Sequence, residues 1–218
     1  MGILSKVYSI DELEGVINRC CPKAVESLKY GKVEFNVVLN QLAKGGINTA
    51  YASSTGRVLD AIAVLLNVAY RRHYEGEPAM KLESFAFKGK NDLKFEVPVE
   101  GELIRVEELF QSILEAIEGG ASPADIAYSA HLALARAFAH TAVERAREFG
   151  VKNVALSGGV AYNELITKMI RKVVEANGLN FHVTTEVPRG GDNGVNVGQA
   201  FLGGLYLEGY LTKEDLML

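Results

Sequence analysis

Residues Val151–Glu164 read VKNVALSGGVAYNE, a short apolar segment that runs into a Gly-Gly pair and restarts with helical spacing. Val154, Ala155 and Leu156 read as a buried strand. Ser157-Gly158-Gly159 lets the backbone approach a ligand with no side chain in the way. The spacing predicts a helix over Ala161–Asn177 whose free N–H groups and positive dipole end face that ligand. Strand, glycine turn and helix in this order suit phosphate, although a glycine pair after a strand also serves as a plain tight turn.

Downstream the pattern repeats as strand (Asn180–Thr184), glycine-rich loop (Pro188–Gly194) and helix (Asn193–Tyr206). A strand-helix-strand alternation of this kind predicts parallel pairing. Upstream the chain reads as mostly helical. Asp11 begins a helix that gives way near Pro22, and Val33–Leu42 forms a second one, stopped by Gly45-Gly46. Val58, Ile62, Leu65, Leu66 and Ala69 repeat at helical spacing, which predicts an amphipathic helix over Arg57–Arg72. Further helices are expected over Glu77–Phe87 and Val106–Ile117. A long helix is expected from Ser122-Pro123 to Phe149, with serine at the N-cap and proline at N1. Leu93–Val97 alternates as a strand should, and a turn at Glu100-Gly101 pairs it with Leu103-Ile104. The expected class is α/β and helix-rich. We expect a single domain over 1–218, with a helical lead-in (1–45), a helical region carrying a small hairpin (46–150) and an α/β region with the two glycine loops (151–210).

The 218 residues carry a formal charge of -4. Nothing supplies the broad basic surface that a nucleic-acid or anionic-membrane binder uses. No apolar run reaches the ~18 to 20 residues of a spanning helix, the first residues lack the apolar core of a signal peptide, and Lys6 occupies the position where a myristoylation motif needs Ser or Thr. A cytoplasmic location is the expectation. Cys20 and Cys21 are adjacent, so they make no ordinary loop-closing disulfide, and no Cys/His cluster suggests structural zinc.

Three polar clusters interrupt this background. The first is Ser53-Ser54-Thr55-Gly56-Arg57 with Asp60, at a helix entrance. Ser54 or Thr55 serves equally well as an N-cap, and Arg57 and Asp60, three apart, can face one ligand or pair with each other. The second is Ser157-Gly158-Gly159 with Asn163, whose amide both donates and accepts. The third is Pro188-Arg189-Gly190-Gly191-Asp192-Asn193-Gly194, where Asp192 suits an acid, an N-cap or a hard-metal ligand.

The runs GINTAYASSTGRVLDAIAVLLNVA, YEGEPAMKLESFA, IAYSAHLALARAFA, VALSGGVAYNE and VPRGGDNGVNVGQA, in this order from Gly46 to Ala200, resemble the C-terminal part of the hydrogenase-maturation carbamoyltransferase family, HypF. The resemblance implies the second lobe of an actin-like ATPase/sugar kinase fold with a helical insertion. It implies ATP-dependent activation of carbamoyl phosphate to carbamoyl-adenylate, then transfer to the C-terminal cysteine of HypE on the way to the cyanide of [NiFe]-hydrogenase. By resemblance Ser157, Gly158, Gly159 and Asn163 line the nucleotide, Ser54, Gly56, Arg57 and Asp60 serve its ribose or phosphate side, and Asp192 helps hold a divalent metal (Fe, Zn or Mg).

The other metal ligands of that family sit on an HxxxH motif, and no two of His73, His131, His140 and His182 are four apart. His131 shares a stripe with Leu134 and Phe138, the setting of a packed core histidine. The resemblance therefore implies half of a cleft, inactive alone and completed by a HypF first lobe, with a HypE-like protein as partner and no nucleic acid or membrane. Two other readings stay open. One is a non-catalytic nucleotide-binding or interaction module, in which homodimerisation covers exposed apolar surface. The other is a tRNA threonylcarbamoyladenosine-type enzyme subunit, which shares the SGGVAxN signature but is poorly served by an acidic surface.

Overall fold

Ser9 opens the first helix, α1 (Ile10–Cys20), with a reciprocal cap: its hydroxyl accepts from Glu12 N–H, and the Glu12 carboxylate accepts from Ser9 N–H at 2.9 Å. Such a box satisfies two donors that a helix start otherwise leaves open. Pro22 starts α2 (Pro22–Glu26), and α3 (Gly31–Lys44) folds back on α1 and α2. Next come α4 (Thr55–Leu65) and α5 (Glu77–Ala86), which pack on each other. A short antiparallel hairpin follows, β1 (Val99–Glu100) with β2 (Leu103–Ile104). Then come α6 (Val106–Glu118) and the long α7 (Pro123–Glu148). The chain closes with β3 (Asn153–Leu156), a 3-10 turn (Gly159–Tyr162), α8 (Glu164–Ala176), β4 (Asn180–Val183) and α9 (Gly191–Leu207). This computed structural model describes residues 1–45, 50, 52–101, 103–186, 188–189 and 191–215, the side chains of 191–193 excepted. Gly46, residues 47–49 and 51 of the INTAYASST loop, Gly190 and the side chain of Asp192 thus lie outside the described residues.

The core is built around α7. Ala127, Ala130, Ala133, Ala135, Ala137 and Ala139 are buried on it, beside Ile126 and Leu134. Alanines buried around a helix let neighbours come close, and α8, α5 and α6 all pack on it. Each fully buried large apolar side chain here contributes roughly 1.5–3 kcal/mol. One continuous apolar cluster joins Leu4 and Leu13 to Val174 and Phe181. The end of α5 approaches α7 so tightly that a Cβ on Gly89 would lie 2.4 Å from the Ala124 carbonyl oxygen.

β3 and β4 pair in parallel, Asn153 opposite Asn180 through Leu156 opposite Val183, with α8 as the crossover. Three expectations need correction. The α4 helix ends at Leu65, not Arg72, because Asn67 takes a left-handed conformation (φ 57°) and Val68 N–H turns back to the Ala63 carbonyl. Asparagine tolerates that conformation, and this geometry is a common helix stop. Leu93–Val97 is not a strand: Leu93 N–H donates to Ser129 Oγ, Arg136 pairs with Asp92, and Lys94 is left-handed, so α7 holds the segment instead of a neighbouring strand. β1 takes the hairpin pairing two residues later. Finally, the helix expected at Ala161 starts at Glu164, after the 3-10 turn.

Candidate functional site

Gly158 has φ 92° and ψ 171°, a conformation only glycine adopts readily. Gly159 has no such constraint, and a Cβ built on it would meet nothing within 4 Å. The first bond of the 3-10 turn runs from Ala161 N–H to the Gly158 carbonyl, so the Gly159 and Val160 N–H groups stand ahead of it. Backbone donors beside an open space make an anion cradle. Ser157 is exposed at its edge.

The N-terminus of α8 does not point free donors at this space. Asn163 is its N-cap, buried, with Oδ1 accepting from Ile166 N–H at 3.0 Å. The carboxylate of Glu83, on α5, accepts from Glu164 N–H. Burial raises the Glu83 pKa, while the bonds from Glu164 and Leu165 N–H oppose that shift. The anion at this helix end is one of the protein's own side chains, so the donors available to a ligand are those of the turn itself.

The other polar cluster lies next door, because α4 packs against the 3-10 turn. Ser54 is the N-cap of α4, its hydroxyl accepting from Arg57 N–H at 3.4 Å. Gly56 has only the Ser54 hydroxyl near a built Cβ. Arg57 Nη2 pairs with Asp60 Oδ2 at 2.7 Å, and the other Asp60 oxygen, Oδ1, is buried with no hydrogen-bond partner. A buried acceptor left open costs about 1–3 kcal/mol unless a donor arrives. The structure thus brings the Ser54–Asp60 entrance to the glycine turn.

A metal does not find a comparable set. Among the described residues no three His, Cys, Asp or Glu side chains gather as ligands. Asp192 falls in the first turn of α9, with its side chain outside the described set. His131 is fully buried, with Nδ1 donating to the Ala127 carbonyl at 2.7 Å and Nε2 unpartnered. Burial lowers its pKa. Glu83 is the neighbour that the sequence pattern does not reveal, since it acts across a long stretch of chain with no local spacing to mark it.

Residues 2–199 match the family described as the carbamoyltransferase, Kae1-like domain, second subdomain. A probable carbamoyltransferase HypF of Methanocaldococcus jannaschii is 32% identical over 170 residues, covering 78% of this chain and 22% of its own. A crystal structure of T. kodakarensis HypF is 99% identical, with a TM-score of 0.85 over 99% of this chain and 28% of that one. A full-length HypF in a phosphate- and nucleotide-bound form is 28% identical, with a TM-score of 0.75 over 89% of this chain and 26% of that one. The chain spans about a quarter of the length of these relatives.

Proposed function

This chain belongs to the HypF carbamoyltransferase family, and from that premise we propose that it supplies the nucleotide-holding wall of ATP-dependent carbamoyl transfer in [NiFe]-hydrogenase maturation. The observation that carries the reading is the unobstructed glycine turn with the α4 entrance packed beside it. The N–H groups of Gly159 and Val160 donate to phosphate oxygens, and the Ser54–Asp60 entrance serves the ribose or phosphate side. Arg57 holds Asp60 in place through its 2.7 Å ion pair. The carbamoyl group of carbamoyl phosphate is joined to the α-phosphate of ATP as carbamoyl-adenylate, with release of phosphate and pyrophosphate, and then passes to the C-terminal cysteine thiol of a HypE-like partner, with AMP as leaving group. The nucleotide-bound relative supports the ATP assignment. Asp192 is assigned to a divalent metal shared with a complementary lobe.

The half-cleft reading draws support from α9. Val197 and Phe201, one turn apart on α9, are 40% and 66% exposed, an apolar face suited to a complementary lobe. Holding reactants in place can supply roughly 7–11 kcal/mol of a barrier, and one wall of a cleft forfeits most of that. The chain alone is therefore inactive and recovers activity with a HypF first lobe.

Calorimetric titration with ATP tests the cradle. Gly159→Val introduces branched carbons into space that is now open, so the melting temperature holds while affinity drops at least about tenfold, the scale of one lost charge-assisted hydrogen bond. Equal affinity in the variant and the parent would refute the assignment.

A further inference from the structure

Arg189 lies between β4 and α9 and is half-buried. Its guanidinium Nη1 donates to the Ala161 carbonyl at 2.7 Å and its Nε to the Thr184 carbonyl at 3.2 Å. One planar fork thus bridges the glycine turn and the end of β4. The backbone of the same residue bonds to the turn as well. Arg189 N–H donates to Tyr162 Oη at 2.9 Å, and its carbonyl accepts from Gly158 N–H at 2.6 Å. The guanidinium also lies 5.5 Å from the centre of the Tyr162 ring. From the other side, Thr167 Oγ1 of α8 donates to the Ala161 carbonyl at 2.9 Å. The turn is therefore gripped between α8 and the loop that leads to Asp192.

We propose that Arg189 is a positioning residue, a joint that fixes the glycine turn to the β4–α9 loop and so sets the Gly159 and Val160 N–H groups where phosphate is held. The inference rests on the reading of the turn as a phosphate cradle. Its physical content is geometric rather than electrostatic. A guanidinium presents its donors in a rigid plane and can hold two carbonyls from two segments at fixed separation, whereas a lysine ammonium is a compact charge on a flexible stem. Arg189→Lys keeps the charge and loses the fork. The backbone bonds of residue 189 survive that change, so the variant loosens the joint without unfolding the chain. Tyr162→Phe removes the opposite anchor and keeps the ring beside the guanidinium.

Hydrogen exchange read by mass spectrometry on the chain without ligand, paired with ATP titration, tests the proposal. In Arg189→Lys, exchange speeds up about tenfold in both 157–163 and 180–189 while α7 is unchanged, the signature of local rather than global opening. ATP affinity falls about tenfold although the charge is kept, and Tyr162→Phe shifts both readouts the same way by less. Unchanged exchange in either segment, or full affinity in Arg189→Lys, overturns the joint. A parent chain whose exchange responds to the substitutions but which binds no ATP refutes the cradle reading, and with it the assignment of this joint to a phosphate site.

Discussion

The helical body around α7 and the C-terminal segment from β3 to α9 are built on opposite terms. In the body, Ile126, Leu134, Leu109, Ile113 and Leu82 are fully buried, and alanines bring the helices together. In the C-terminal segment the parallel strands alternate exposed and partly covered positions, and α9 is exposed along most of its length. Parallel sheets are ordinarily covered on both faces. The body holds most of the apolar burial that stabilises the chain, while the segment holds the glycine turn and apolar surface open to a partner. α8 belongs to both: one face packs on α7, and its first turn is tied to Glu83 and Asn163 just behind the glycine turn.

The largest expected effect falls on the body. Leu134→Ala empties a fully buried position on α7, and a large-to-small change of this type costs about 2–5 kcal/mol because the surroundings collapse only partly into the cavity. Chemical denaturation of the parent and the variant measures it. A loss under about 1 kcal/mol would break the contrast, since such mild costs are typical of surface changes.

How far the sequence discloses each region follows the same division. Ser122-Pro123 and the spacing around Val58 and Ile62 mark helices by local signals, and α7 and the start of α4 stand close to where those signals put them. Boundaries set by tertiary context escape it. Asn67 sits inside an apolar run yet closes α4, and Leu93–Val97 alternates like a strand yet is anchored at its start, where Asn91, Asp92 and Leu93 bond to Asp125, Arg136 and Ser129 of α7. At the site, the glycine turn and the Ser54–Asp60 entrance are visible as motifs because their function is in the residue types. Their neighbours are not: Glu83 reaches α8 from a helix 81 residues earlier in the chain, a relation no local period encodes. Asn163 illustrates the ambiguity from the other direction, since a residue type suited to a ligand is used here as a helix cap.

A second effect separates the regions by pH. His131 lies in the body with its pKa lowered by burial, so the folded state resists protonation that the unfolded chain accepts near 6.5. As pH falls below that value the unfolded state binds more protons, and stability decreases until the lowered folded pKa is reached. The slope for one proton is at most about 1.4 kcal/mol per pH unit. Glu77 and Asp92, whose pKa values stand at about 2 beside Lys81 and Arg136, act lower: their contribution is present above the ordinary carboxylate range and is lost in more acid solution. The buried Met1 ammonium, its pKa lowered, and Glu83, its pKa raised, also bind protons differently in the two states, so the histidine is isolated by the difference between the parent and His131→Leu in urea unfolding at pH 7, 6 and 5. The parent loses stability across this series and His131→Leu follows a flatter course. An identical slope in both would assign the acid sensitivity elsewhere.

The smallest effect is expected at α9, and its smallness is informative. Phe201 is 66% exposed, so Phe201→Ser removes little buried area and shifts the stability of the isolated chain by no more than about 0.5 kcal/mol, as for surface positions generally. A phenylalanine buried in a core would cost several times that. The same substitution weakens association with a HypF first lobe if α9 is the seat of that lobe, because a large aromatic in the middle of an apolar contact commonly carries much of the binding energy. Thermal melts of the isolated chain beside titration with the lobe separate the two readouts. A destabilisation above about 2 kcal/mol in the isolated chain would mean that α9 packs on the body and that the contrast between the two regions is false.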